Sequence, residues 1–337
     1  MIKLALLSPV AWRTPPRHYG PWEQVAYNIA RGVAALGVDV TLYATGDSDS
    51  PGKLESIIER GYEEDSAADA KVAECMHISY LMESAGEYDL IHNNFDFLPL
   101  TWSRLVDTPM VTTIHGFSSP RILPVYQRYN DRCHYVSISN SDRSPLLRYI
   151  ATVYNGLDPA LFTLREDHDD YLLYLGRIHH DKGAYEAIRI AQISGRRLLI
   201  AGIVQDRDYF SEKVEPYLDG EQIIFLGSVG PEKRDELLGG AFALLHPVNF
   251  DEPFGLSVAE AMFCGTPVLA FNRGSMPELI EDGKTGFLAG TVDEAAELLA
   301  QVPSIDRRYC REHAENNFSF EKMAADYLEV YRKILGY

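Results

Sequence analysis

The chain has 337 residues, 46% of them hydrophobic, which is enough to build two domains with their own cores. Its formal charge of −18 argues against nucleic acid as a partner, and against strong membrane association through a basic face. Four scattered cysteines, Cys75, Cys133, Cys264 and Cys310, have neither pairing nor metal-ligand spacing, so neither a disulfide framework nor a zinc site is expected.

No run approaches the roughly 18 apolar residues of a membrane span. The apolar start is shorter than a signal peptide, so the expectation is a soluble cytoplasmic protein. Residues 2–7 read as a strand, 8–21 as a loop rich in Pro and Arg, and 22–36 as a helix stopped by Gly37. A second strand covers 38–43, the polar stretch 46–67 reads as loop, and 68–84 reads as helix. Strands at 88–92, 110–114, 135–138 and 152–154 complete a first set. The acidic run Glu166-Asp-His-Asp-Asp reads as a solvated linker. A second alternating series then places strands at 171–175, 198–201, 223–226, 242–245 and 268–271. Strands separated by helices imply parallel pairing through right-handed crossovers. The fold class is therefore α/β, with two Rossmann-like domains at 1–157 and 158–316. The closing segment 317–337 carries an amphipathic helix at 320–335.

Two stretches carry chemistry. In the first, the buried-strand run 242–245 is followed by a loop and a helix-period segment from Gly255 to Gly265. Glu252 precedes that helix and Glu260 lies inside it, at the carboxyl end of a strand, where open α/β sheets bind ligands. In the second, Gly176-Arg177-Ile-His-His-Asp-Lys182-Gly183 joins the strand 171–175 to a helix at 184–191. Two cations beside a helix N-terminus suit a diphosphate: Arg as a fork, Lys as a mobile point charge. His179, His180 and Asp181 read as loop filler. Asp206-Arg-Asp208 has the letters of a metal motif but falls in a polar segment opening a helix, and no metal is expected. A hydrolase would need the two glutamates about 5–9.5 Å apart, whereas eight helical residues span about 12 Å. That spacing suits two ends of one long ligand better.

Glu252-Pro-Phe-Gly-Leu followed by Glu260-Ala-Met-x-x-Gly265-x-Pro267-Val268 resembles the Glu-x7-Glu signature of the retaining family-4 glycosyltransferases. The resemblance implies the GT-B fold, two Rossmann-like domains whose parallel sheets face a central cleft, with the last helix packing back on the first domain. It implies that Arg177 and Lys182 hold the donor diphosphate and that Glu260 binds the nucleotide ribose. Glu252 would bind the donor sugar from a loop continued by Pro253, Phe254, Gly255 and Leu256. Val229, Gly230 and Lys233 fall where the family frames the nucleobase. The loop His18-Tyr19-Gly20-Pro21-Trp22-Glu23 resembles the family's Gly-Gly-x-Glu loop, with Gly20 against the diphosphate. Pro21 departs from that pattern and removes an N–H. Thr112-Thr-Ile-His115-Gly116 resembles the strand-end histidine beside the transferred sugar, so His115 and Glu252 stand as the catalytic candidates. His92 and Asp96, ending another strand, are candidates for the acceptor side.

The implied reaction is front-face transfer with retention, without metal or cofactor. A sugar would move from a nucleotide-diphosphate sugar, UDP-glucose being the candidate, to a hydroxyl of a small-molecule or saccharide acceptor. Two alternatives share the fold. The Glu-Pro-Phe-Gly…Glu motif disfavours a UDP-N-acetylglucosamine 2-epimerase. The presence of both Arg177 and Lys182 disfavours a non-catalytic sugar-nucleotide binding protein.

Overall fold

Strand β1 (Lys3–Leu7) reads Lys-Leu-Ala-Leu-Leu and buries its last four residues in succession, because helices cover both of its faces. The computed structural model describes residues 1–17, 20–117 and 119–337, so the His18-Tyr19 part of the first-domain loop lies outside the described residues. The chain divides into two units, Met1–Leu157 with Phe320–Tyr337, and Asp158–Ser319.

In the first unit β1 is followed by α1 (Pro21–Ala35), β2 (Asp39–Tyr43), β3 (Lys53–Glu55), α2 (Ala70–Glu83) and β4 (Leu90–Asn93). Then come β5 (Met110–Ile114), α3 (Leu123–Arg128), β6 (Cys133–Ser137) and β7 (Tyr149–Thr152). The strands form one parallel sheet in the order β3-β2-β1-β4-β5-β6-β7. Strand alternation divides the core between its faces. Leu4 and Leu6 pack with Val25, Ile29 and Val33 of α1 on one side. Ala5 and Leu7 pack with Ile78 and Leu81 of α2 on the other.

The second unit runs β8 (Tyr171–Leu175), α4 (Ala184–Ser194), β9 (Arg197–Ala201), the single turn α5 (Arg207–Tyr209), β10 (Ile223–Gly227) and α6 (Pro231–Gly240). It continues with β11 (Ala243–His246), α7 (Leu256–Phe263), β12 (Val268–Phe271), α8 (Met276–Leu279), β13 (Gly286–Ala289), α9 (Val292–Leu298) and α10 (Arg307–Phe318). Its sheet is again parallel, in the order β10-β9-β8-β11-β12-β13. The buried Arg307 guanidinium ties this unit together, donating to the carbonyls of Arg165, Gly239 and Ala241.

The last helix, α11 (Phe320–Leu335), returns to the first unit and lies against α1. Its Met323, Ala324, Tyr327, Val330 and Tyr331 join the core of that sheet face. Close approach is possible because α1 presents Gly32: a Cβ there would lie 2.5 Å from the Ala324 Cβ. The Arg31 guanidinium covers the Phe320 ring at 3.8 Å.

Three strand assignments from sequence are corrected. β3 falls inside the stretch read as loop, and β13 was not anticipated; both are short edge strands, and edges need no apolar run. β7 ends at Thr152 rather than covering 152–154, and its four residues are all half-buried, which weakens the periodic signal.

Filling the α1–α11 contact should cost stability directly. Gly32→Val is expected to lower the unfolding free energy by about 1–3 kcal/mol through overpacking, measured by urea denaturation. Wild-type stability would mean that the two helices do not meet as closely as described.

Candidate functional site

In a doubly wound sheet, ligands sit beyond the carboxyl ends of the strands where the winding reverses. In the second unit that point lies between β8 and β11, adjacent in the sheet but far apart in sequence. The turn 176–183 leaves β8 there, and the loop 247–255 leaves β11. Two glycines let these segments touch. Gly183 has φ 76°, and a Cβ on it would lie 1.9 Å from the Pro247 carbonyl oxygen. Gly274, after β12, would place a Cβ 2.3 Å from the Glu252 nitrogen. The Asn249 N–H donates to the Asp181 carbonyl at 2.7 Å, and the Ser275 N–H donates to the Glu252 carbonyl at 3.0 Å. The Ser275 hydroxyl donates to the Phe254 carbonyl at 2.6 Å.

This framework brings Lys182 and Glu252 together. The Lys182 ammonium donates to Glu252 Oε2 at 2.5 Å and lies 4.6 Å from the centre of the Phe250 ring. His246, the last residue of β11, has its Nε2 3.7 Å from the same carboxylate oxygen. Burial pushes the Glu252 carboxyl up, but His246 and Lys182 outweigh it and hold the group down at about 2. Arg177 bonds to Gln205 from the loop after β9, and its carbonyl accepts the Tyr174 hydroxyl at 3.0 Å. Of the loop residues after Glu252, Pro253 and Leu256 are half-buried, and Gly255 caps α7 at φ 93°. Phe254 is buried, its ring edge-on to that of Phe318 with centres 5.8 Å apart.

Glu260 is buried inside α7 and pairs with Arg234 of α6 at 3.3 Å. Burial raises its carboxyl above the usual range, and the Arg234 charge partly offsets this. Sequence reading singled out Lys233, for the nucleobase, and not Arg234; Lys233 is exposed and pairs with Glu236 at 2.8 Å along its own helix. Helical spacing was the available signal, since neighbouring positions of a helix point about 100° apart. Val229 and Gly230 lie between β10 and α6, with Gly230 as the helix cap.

The first unit holds the other candidates at the carboxyl ends of its own strands. Gly20 caps α1 with φ 151°, and Pro21 opens the helix. Glu23, on the first turn, is buried. Burial lifts its carboxyl to about 7, although the Trp12 N–H and its own backbone N–H oppose that shift. His115 follows β5, stacks on Trp22 with ring centres 5.7 Å apart, and bonds to Asn94 Oδ1 at 3.0 Å. Burial holds its imidazole down at about 3, so it acts as a neutral hydrogen-bonding group. Asn94, from the same strand-end stretch as His92 and Asp96, is fully buried, and its Nδ2 has no hydrogen-bond partner among the described residues. His92 requires correction as an acceptor residue. It is fully buried, with one ring nitrogen against the Tyr331 hydroxyl at 2.7 Å and the other against Thr113 at 2.8 Å. Asp96 is half-buried after β4 at φ 71° and accepts from the Tyr126 hydroxyl; burial lifts its carboxyl to about 6.

His179, His180 and Asp206, read from sequence as filler and as a helix opening, place one ligand-capable atom each within 4.8 Å of one another. Among the described residues this is the set that could hold a metal ion. Asp206 already caps α5 through the Tyr209 N–H at 3.0 Å, and Asp208 takes no part.

Residues 22–161 match the family Glycosyltransferase Family 4, and residues 162–317 match Glycosyl transferases group 1. The glycogen synthase of Mycobacterium tuberculosis is 25% identical over 388 residues, 96% of this chain and 93% of that protein. The D-inositol 3-phosphate glycosyltransferase of Rhodococcus erythropolis is 34% identical over 128 residues, 33% of this chain and 27% of that protein. Among solved structures, AviGT4, a glycosyltransferase involved in avilamycin A biosynthesis, has a TM-score of 0.73 at 25% identity, over 100% of this chain and 98% of that one. Anabaena HepE in complex with UDP and glucose has a TM-score of 0.73 at 20% identity, over 98% and 99%.

The depressed Glu252 carboxyl makes a stability prediction with a definite sign. Its folded value of about 2 lies below the ordinary 4.5. The stability it contributes is therefore present above pH 4.5 and lost as the pH falls toward 2. Glu252→Gln should destabilise the protein by on the order of 1–3 kcal/mol at pH 6, and the difference from wild type should shrink at pH 3. Urea unfolding at both values measures it, and a difference independent of pH would contradict the ion pair.

Proposed function

We infer that this chain, which belongs to the family-4 glycosyltransferases and shares their GT-B fold, transfers a sugar with retention and without a metal. The donor in this reading is UDP-glucose and the acceptor is a hydroxyl of a small molecule or saccharide. The observation that carries it is the meeting of Lys182 with Glu252 at the reversal point of the second sheet, with Arg177 on the same turn. Cations for a diphosphate thus lie beside a carboxylate able to accept sugar hydroxyls. The description of Anabaena HepE with UDP-glucose supports that choice of donor.

In this reading Arg177 and Lys182 bind the diphosphate beside the N-terminal end of α4, whose dipole favours an anion. Glu252 orients the sugar, Glu260, paired with Arg234, takes the ribose hydroxyls, and Val229 and Gly230 border the base. The bond from the anomeric carbon to the phosphate oxygen breaks. The bond to the acceptor oxygen forms on the same face, and the acceptor's proton passes to the departing phosphate oxygen. Charge building on that oxygen is stabilised by the two cations already in place, which is the work a metal ion would otherwise do.

The two glutamates separate experimentally. Glu260→Gln should weaken both free UDP and UDP-glucose, by roughly 1.5–3 kcal/mol for a bond to a charged group. Glu252→Gln should leave free UDP nearly untouched while lowering turnover at least about tenfold, because a sugar held off its reacting geometry loses rate steeply. Calorimetry with UDP, and turnover measured in EDTA, read both outcomes. Wild-type turnover in Glu252→Gln would remove that residue from the donor sugar. Loss of all wild-type turnover in EDTA, restored by magnesium, would overturn the metal-free reading.

A further inference from the structure

We propose that His179, His180 and Asp206 form a binding site for a late transition-metal ion, zinc in the first place, that takes no part in sugar transfer. The ion staples the turn leaving β8 to the loop leaving β9.

Backbone pairing brings the three residues together. The parallel ladder of β8 and β9 continues past the sheet as a bridge between Ile178 and Val204. The Ile178 N–H donates to the Ile203 carbonyl at 2.8 Å, and the Ile178 carbonyl accepts from the N–H groups of Gln205 at 3.2 Å and Asp206 at 3.0 Å. Arg177, on the same turn, reaches Gln205 across the same gap. The Asp206 carboxylate divides its oxygens between two tasks. Oδ1 accepts from the Tyr209 N–H at 3.0 Å, which fixes the side chain, and Oδ2 lies 3.2 Å from His180 Nδ1. The His179 ring lies beside that of His180, centres 4.1 Å apart. One ligand-capable atom from each of the three residues falls within 4.8 Å of the others. Ligands about 2.0–2.2 Å from a zinc ion stand roughly 3.3–3.6 Å apart in a tetrahedron, so a small turn of the rings closes the set.

An outer carboxylate completes the arrangement. Asp181 Oδ1 lies 3.1 Å from His180 Nε2, and its Oδ2 lies 3.4 Å from His179 Nδ1. Metal-bound histidines characteristically give their second ring nitrogen to such a group, which fixes ring and tautomer. With its hydrogen on Nε2 toward Asp181, neutral His180 has the lone pair of Nδ1 for the ion. Two imidazoles and a carboxylate select zinc, nickel or copper over magnesium and calcium, which take oxygen ligands. Three protein ligands leave a position to water. The His180 side chain is 62% exposed, so an ion enters from solvent.

Calorimetric titration of the EDTA-stripped, nucleotide-free protein with zinc chloride tests the site. Wild type should bind about one zinc per chain in the micromolar range, and should unfold at a higher temperature in zinc than in magnesium. His180→Gln and Asp206→Asn should each weaken zinc binding at least about tenfold, since loss of even an outer partner costs that much. Asn still caps α5 through its side-chain oxygen, so the second variant keeps the local fold. Cys75→Ser should bind zinc as wild type does, because that exposed thiol is the rival ligand. No binding by wild type in micromolar zinc, undiminished binding in either ligand variant, or loss of binding in Cys75→Ser would overturn the proposal. The titration contains no sugar nucleotide, so its outcome is independent of the diphosphate reading.

Discussion

The ion pair between Lys182 and Glu252 is the contact on which the carboxyl edge of the second sheet depends. Both side chains are largely withdrawn from water, at 16% and 12% exposure. Breaking a pair in that position by removing one partner leaves an uncompensated charge, which costs far more than an exposed bridge contributes. The pair exists because β8 and β11 are neighbours in the sheet, so the segments leaving them start side by side. No local rule of sequence would bring residues seventy positions apart into contact.

Its geometry is fixed by backbone before any side chain is considered. Gly183 and Gly274 admit main-chain atoms where a Cβ would collide. The Ser275 hydroxyl and the buried Phe254 ring hold the loop that carries Glu252. The carboxylate is therefore oriented by the fold rather than by a ligand. Such preorganisation is what a reaction developing charge on a phosphate oxygen requires, because little rearrangement remains once substrate arrives. A second pair, the buried Glu260 with the half-exposed Arg234, sets another glutamate inside the helix that follows β11.

Much of this was legible in the chain itself. Both central strand sets announced themselves as apolar runs between helices, because strands buried on both faces have no polar alternation to hide behind. The Arg177–Lys182 turn and the paired glutamates were legible because their residue types are unusual at strand ends. The edge strands β3 and β13 were not, since their pairing is supplied by a neighbour rather than by their own composition. His92 misled for a related reason. Its position at a strand end suggested a rim residue, but α11, more than two hundred residues later, covers it with Tyr331 and Tyr327. Arg234 and His246 were invisible for want of partners: one is picked out by Glu260 and the other by Glu252, and only folding supplies either.

The central claim is that the diphosphate and sugar of the donor lie across the Lys182–Glu252 pair. A crystal structure of the protein with UDP-glucose tests it most directly. The account predicts phosphate oxygens on Arg177 and Lys182, with a glucose hydroxyl on Glu252. A diphosphate bound elsewhere, with the Lys182–Glu252 pair undisturbed, would contradict it.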